Sequence, residues 1–196
     1  MPKPRPPLDT VVKLGLGVFI GAFALIWGGM FLTRPDRSIP PYSIGAQEGE
    51  LVAVHVPVYT SNDGLESLIR RFQKIAAESR DFGRMKIQPT TPLEPGGRYQ
   101  RMRVFIFTHD AWAEPEMLRR YAAARSSTAA ADRALRDAFE NAVRGYYRLE
   151  DREEEGRIGP LINGTGAETP ATAAFSRQLF KGPVGGGAPA VAAPAP

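Results

Sequence analysis

The longest hydrophobic run of the chain lies close to its N-terminus. Residues 14–32 read LGLGVFIGAFALIWGGMFL, nineteen residues without a charged side chain. As an α-helix this run is about 28 Å long, close to the thickness of the hydrocarbon core of a bilayer. It exceeds the apolar core of a cleaved signal peptide, and no small-residue cleavage site follows it. The run therefore predicts an uncleaved transmembrane helix over residues 11–33.

Small residues recur within this run at helical spacing. Gly17, Gly21, Ala24 and Gly28 follow one another at intervals of four, three and four residues, which places them on one stripe of a helix. Aromatic and branched side chains occupy its other faces. Glycine is common in membrane helices in any case, but close backbone contact is also what holds such helices together. The stripe predicts packing against another helix.

Two later stretches alternate with the period of a β-strand. Every second residue from Val52 to Val58 is valine, which predicts a strand with one buried face. Pro57 indicates that this strand lies at an edge or ends there. Tyr99–Thr108 is apolar on both faces, which is typical of a central or doubly covered strand.

Three stretches show apolar residues three and four positions apart, the spacing of a half-buried helix: residues 65–79, 110–121 and 129–150. The first has the clearest stripe, formed by Leu65, Leu68, Ile69, Phe72, Ile75 and Ala76. Short strands are predicted near residues 85–88 and 157–162. Between them, the Pro- and Gly-rich residues 89–97 form a loop that is also a candidate binding loop.

These elements predict an α+β fold: one N-terminal transmembrane helix, then a small two-layer α/β domain of order β-α-β-β-α-α, then a low-complexity C-terminal tail. Two layers, with helices on one face of a three- or four-stranded sheet, would bury the helical stripes. The domain boundaries follow from composition: a basic Pro-rich tail (1–10), the helix (11–33), an extended linker (34–49), the domain (50–163) and an Ala/Pro/Gly-rich tail (164–196).

One hydrophobic segment interrupts the C-terminal tail near residues 175–181. Phe175, Leu179 and Phe180 are flanked by Arg177 and Lys181 in a region otherwise rich in Ala, Gly, Pro and Thr. Apolar residues at this spacing could form one helical turn on a partner. We therefore expect this segment to dock on another protein.

The charge distribution argues against nucleic-acid binding. The chain has 25 Lys and Arg against 21 Asp and Glu, a net charge of +4, and half of that net charge lies in the first thirteen residues. The remainder is nearly neutral with mixed signs, whereas a nucleic-acid-binding domain has a clustered basic face. The basic N-terminal tail instead suits anionic lipid headgroups.

Cations on the two sides of the hydrophobic run predict its orientation. Lys3, Arg5 and Lys13 precede the run, and Arg34 and Arg37 follow it. The excess before the run favours a cytoplasmic N-terminus. The sequence thus predicts a single-pass inner-membrane protein whose main domain is periplasmic or otherwise extracytoplasmic.

Few residues suggest catalysis. His55, His109 and Asp110 would line one pocket if their strands are neighbours, a conceivable acid–base or metal site. Asp110 is equally well placed as a helix N-cap, however, and a histidine at a strand end is usually a surface residue. The chain has no cysteine to complete a zinc site, and the hydrophobic run has no histidine to ligate a tetrapyrrole. We predict no cofactor, no metal and no enzymatic activity.

Two functions remain open at this stage. The first is a non-catalytic accessory subunit of a multi-subunit membrane complex, with a photosynthetic or respiratory electron-transfer assembly as the first guess. Its partners would be lipid and other membrane subunits, contacted through the helix and the C-terminal tail. The alternative is a membrane-anchored periplasmic binding module that captures a soluble partner or ligand.

Overall fold

The computed structural model describes residues 10–32, 39–91, 97–161 and 176–186. The chain divides after Arg37 into two compact units. In the first unit the described residues form one α-helix, α1 (Thr10–Leu32). In the second they form an α+β domain with one six-stranded mixed sheet.

The elements of the second unit follow one another as β1 (Ser43–Glu48), β2 (Leu51–His55), α2 (Asn62–Glu78), β3 (Arg101–Phe107), α3 (Pro115–Ala124), α4 (Ala130–Ala142), β4 (Gly145–Glu150), β5 (Glu153–Ile158) and β6 (Arg177–Pro183). Short 3-10 turns at Phe82–Met85 and Asp110–Ala113 follow α2 and β3.

The strands lie in the sheet in the same order as in the sequence. β2 and β3 are parallel and are joined by the crossover helix α2, whereas every other neighbouring pair is antiparallel. Two-residue turns connect β1 to β2 and β4 to β5. Gly49 and Asp151 adopt the left-handed backbone conformation at these turns, each with φ of 54°, which glycine and aspartate tolerate better than most residues.

One face of the sheet packs against α2. The helix buries the six apolar residues predicted from its spacing, so this element and its inner face are confirmed. Ser61 caps its N-terminus by accepting a hydrogen bond from the Gly64 amide at 3.1 Å. The strand residues on this face are Val52, Val54, Met102, Val104, Ile106, Tyr147, Leu149, Ile158 and Phe180.

The opposite face packs against α3 and α4. Phe105 and Phe107 of β3 point to this side and meet Phe139 of α4 edge to face, with ring centroids 5.3 and 5.0 Å apart. Tyr121 of α3 stacks on Phe139 with centroids 4.0 Å apart. Since both faces of β3 are covered by helices, the sheet is the middle of three layers.

The predicted fold class therefore needs correction. Helices cover both faces of the sheet instead of one, because the two apolar faces of β3 each recruit a helical layer. The sheet has six strands among the described residues instead of three or four, and the tail predicted to be low in complexity contributes the edge strand β6.

Besides β6, three further strands differ from the prediction, each for an identifiable reason. Phe139, Val143 and Tyr146 fit helical spacing, so the pattern predicts a helix up to residue 150, whereas α4 ends at Ala142 and β4 begins at Gly145. The mostly acidic residues 150–155 hide the strand pattern of β5, which is paired on both sides. β1 lies in a segment predicted to be a linker.

The predicted transmembrane helix is wrong for the part of the chain that the structure describes. Residues 10–32 do form helix α1, but no helix among the described residues is both long and apolar enough to cross a membrane. The predicted single-pass localisation, with a cytoplasmic N-terminus and a periplasmic domain, depended on that helix and is corrected with it.

Candidate functional site

Helix α1 carries most of the large exposed hydrophobic side chains in the described chain. We call these side chains the α1 surface: Val12, Leu16, Val18, Phe19, Ile20, Phe23, Leu25, Ile26, Trp27 and Met30. Each is more than half exposed, and Leu25 reaches 80%. A helix that is hydrophobic all round is normally buried in a larger structure. The α1 surface is therefore the strongest candidate for an interaction site.

The α1 surface has two different sides. On one side Phe19, Phe23 and Trp27 form a ladder, with ring centroids 6.3 Å and 6.1 Å apart. On another, a Cβ added at Gly17, Gly21 or Gly28 would meet nothing within 4 Å. The small residues at these positions thus leave open space beside the helix backbone. The predicted packing stripe, which also includes Ala24, lies on this helix, and its contact with another helix stays a prediction.

The histidines predicted as a conceivable site lie near the carboxyl ends of β2 and β3. His55 ends β2 opposite Phe107 in the parallel register, and the next amide, that of Val56, donates to the Phe107 carbonyl at 2.9 Å. His109 is exposed and precedes the 3-10 turn that follows β3. The Asp110 carboxylate accepts a hydrogen bond from the Ala111 amide at 2.9 Å, which is a local turn contact.

At this edge of the sheet, the connections that follow β2 and β3 run to opposite faces of the sheet. β2 continues into α2 on one side, and β3 continues toward α3 on the other. Ligands of α/β sheets commonly bind at such a switch point. Thr60, buried just before the cap of α2, has a hydroxyl without a hydrogen-bond partner in the described structure. Arg144 contacts Asn62 across this edge at 3.4 Å.

The described residues at this edge provide no candidate metal site. Among the described residues, no group of three or more His, Cys, Asp or Glu side chains is placed to hold a metal ion. Asp110 is engaged with its own turn. No hydrogen bond or ring contact joins His55 to His109 among the described residues. The acid–base site considered from the sequence stays a prediction without geometric support.

The turn between β2 and α2 presents a second, smaller hydrophobic feature. The Thr60 amide donates to the Pro57 carbonyl at 2.9 Å, so Val58 and Tyr59 form the tip of a tight turn. They are 69% and 83% exposed, and they are the two large exposed hydrophobic residues of the described domain. By contrast, residues 92–96 of the predicted binding loop lie outside the described residues.

A buried carboxylate that the sequence did not single out lies on the α2 side of the sheet. Glu154 of β5 is 2% exposed. Its carboxylate accepts hydrogen bonds from Gln73 Nε2 at 3.2 Å and from the Tyr147 hydroxyl at 3.3 Å, and the backbone of Gly185 lies near enough to lower its pKa. Burial raises the pKa of Glu154, although these donors and the guanidinium of Arg80 act in the opposite direction.

A period-two pattern was the available signal for Glu154. The residues Glu154, Gly156 and Ile158 alternate with Glu153, Glu155 and Arg157 on the two faces of β5. The run of acids around them hid that alternation, because consecutive charges ordinarily indicate a solvated segment.

The C-terminal segment predicted to dock on a partner is placed within the domain itself. Leu179 and Phe180 lie on β6, and the Phe180 side chain is buried in the core, 4% exposed. Leu179 packs against the same core and is partly buried. Phe175 lies outside the described residues. Docking of this segment on another protein stays untested.

Comparison with known proteins gives no further guide, since no protein-family model, curated protein or solved structure matches this chain. The α1 surface is therefore interpreted from its own geometry.

Proposed function

We propose that this protein is a non-catalytic accessory subunit of a larger protein assembly, and that α1 is the helix that binds it there. The observation that carries the proposal is the α1 surface, ten large hydrophobic side chains each more than half exposed. Leaving that much apolar area in water is unfavourable by roughly 25 cal/mol for every Å². Burial against a protein partner removes this cost.

The glycine stripe supports a helix as the contacting element of the partner. Small residues allow two helix backbones to approach closely, and open space lies beside Gly17, Gly21 and Gly28. The second unit is a folded domain with its own hydrophobic core. In an accessory subunit, this domain would stabilise or position neighbouring subunits.

Bulk added to the stripe tests this proposal. Gly21→Leu introduces a side chain where nothing lies within 4 Å, so the isolated chain accommodates it. Leucine is also a better helix former than glycine by about 0.8 kcal/mol. We expect tagged full-length protein, isolated under mild conditions, to travel in a complex of defined stoichiometry. That complex should be lost with Gly21→Leu.

Ile20→Leu is the matched control, because it changes an adjacent, exposed apolar position without adding bulk to the stripe. It should leave the complex intact. Migration of the wild-type chain alone, or its recovery with lipid and no protein subunit, would contradict the proposal.

A second candidate function is a binding module that captures a soluble partner through the domain. The exposed tip formed by Val58 and Tyr59 favours it. Tyr59→Ser would then abolish capture while Gly21→Leu would not. The two functions are distinguished by which of these variants loses its partner.

A further inference from the structure

Glu154 lies where three parts of the domain meet. Gln73 of α2 and Tyr147 of β4 donate hydrogen bonds to its carboxylate, Gly182 of β6 pairs with it in the sheet, and the backbone of Gly185, in the turn that follows β6, lies near it. The side chain is almost completely buried. An ionised carboxylate in such a place loses the solvation of water and depends on these donors instead.

The C-terminal segment is the part that could leave Glu154 most easily. It is the edge strand of the sheet, and Phe180 is its one fully buried side chain among the described residues. Its turn is held by the Val184 amide, which donates to the Arg152 carbonyl at 2.8 Å. Helix α2, by comparison, buries six apolar side chains, and β4 is paired on both sides.

We propose that Glu154 is a proton-operated latch for β6 and the turn after it, residues 177–186. With the carboxyl protonated, the segment stays seated on β5. When the carboxyl ionises, detachment of the segment lets water reach the charge. Strand β6 is therefore a switchable part of the sheet, independent of any partner of α1.

The groups that face Glu154 allow a single proton to control the latch. On β4 the facing group is Tyr147, whose pKa is raised by burial, so that its hydroxyl stays protonated through the acid and neutral range. On the α2 side they are neutral Gln73 and the permanently charged Arg80. From the C-terminal turn the contact is a backbone amide. Glu154 is the one carboxyl group of this set, so a single proton governs its charge.

The direction of the switch follows from the linkage between protonation and opening. In the seated state the pKa of Glu154 is raised, whereas in the detached state it returns toward its ordinary value of 4.5. The seated state therefore holds the proton more tightly. The free energy needed to detach β6 is therefore greatest below pH 4.5. It decreases as the pH rises from there through the raised pKa.

Detachment would expose a defined surface. It frees the outer edge of β5, which pairs with β6 from Glu153 to Ile158. It also empties the space over Gly156, where the ring of Phe180 would lie 2.5 Å from an added Cβ. The latch would thereby control access to an unpaired strand edge and an adjacent apolar slot.

Hydrogen exchange of the full-length protein tests the latch. Protection of the β6 amides, corrected for intrinsic exchange, should fall as the pH rises from 4 to 8. The fall is at most tenfold per pH unit, the limit for one proton. Protection of the β3 amides should not follow this profile. Glu154→Gln keeps the shape without the charge, and in this variant the β6 profile should be flat.

Tyr147→Phe provides a second variant in case Glu154→Gln does not fold. Removing one donor makes the buried carboxylate less favourable, so the fall in β6 protection should extend to higher pH than in the wild type. A pH-independent β6 in the wild type, or an unchanged profile in Glu154→Gln, would overturn the proposal.

Discussion

At the scale of single residues, Gly156 matters because it has no side chain, which leaves room for the Phe180 ring in the core. Gly156 lies on β5 between Tyr147 on one neighbouring strand and Phe180 on the other. Ile69 of α2 lies over the same point, with Cγ2 2.8 Å from where a Cβ would be. The missing side chain makes the slot in which Phe180 is buried.

Gly156→Ala should therefore destabilise the domain. The added methyl group would overlap the Phe180 ring and Ile69, and overpacking of this kind typically costs about 1–3 kcal/mol. Gly182→Ala is the matched control on the adjoining strand, because a Cβ there meets nothing within 4 Å. Chemical denaturation of both variants measures the difference. Equal stability of the two variants would show that the slot is not as tight as described.

The titration of Tyr146 predicts a loss of stability in alkali. Burial raises its pKa to about 12, above the ordinary value of 10.0, although Arg103 and Arg148 lie near enough to lower it. Because the folded state favours the neutral phenol, the contribution is complete below pH 10 and is lost as the pH rises toward 12. A difference of this size corresponds to at most about 3 kcal/mol.

Tyr146→Phe isolates that contribution. The variant keeps the aromatic ring but lacks the hydroxyl group that ionises. Its free energy of unfolding should therefore decline less between pH 10 and 12 than that of the wild type. Parallel declines in urea titrations at these pH values would contradict the assignment.

At the scale of elements, the sequence was informative wherever one period dominated. The alternation of valines identified β2, and the spacing from Leu65 to Ala76 identified α2 together with its whole buried face. The pattern was ambiguous at residues 139–150, where Phe139, Val143 and Tyr146 satisfy helical spacing while Tyr147 and Leu149 alternate. Pairing with β3 and β5 resolves that ambiguity, and a single sequence does not contain such long-range information.

The candidate site was less predictable than the fold. The exposed hydrophobic helix was visible as a run without charges, but its predicted role as a transmembrane span was wrong for the described residues. Glu154 follows the period-two pattern of β5, but its acidic neighbours conceal that pattern. Phe180 was noticed as an isolated apolar residue and is buried within its own domain.

The cap of α2 offers a test of one element. Ser61→Ala removes the oxygen that accepts from the Gly64 amide and should cost about 1 kcal/mol. Ser67→Ala, in the second turn of the same helix, is the control and should be neutral or slightly stabilising, since alanine is the better helix former. Thermal unfolding distinguishes the two. If both variants unfolded at the same temperature, the cap would not contribute as described.

At the scale of the whole molecule, hydrophobic surface is divided unequally between the two units. Among the described residues, the domain buries its large apolar side chains wholly or partly on both faces of the sheet, apart from the tip at Val58 and Tyr59. Helix α1 instead exposes nearly all of the large apolar residues described in it. This division supports a subunit whose body folds on its own core and whose helix is completed by another protein.

The measurement that tests this claim most directly is cross-linking from α1 in the native source. The chain contains no cysteine, so Leu25→Cys gives one thiol, at a position 80% exposed in the isolated chain. A thiol-linked photoreactive group there should give one adduct of defined mass with a partner protein. The control, Ala138→Cys on the exposed side of α4, should not give that adduct. Adducts with lipid alone, or none at either position, would contradict the account.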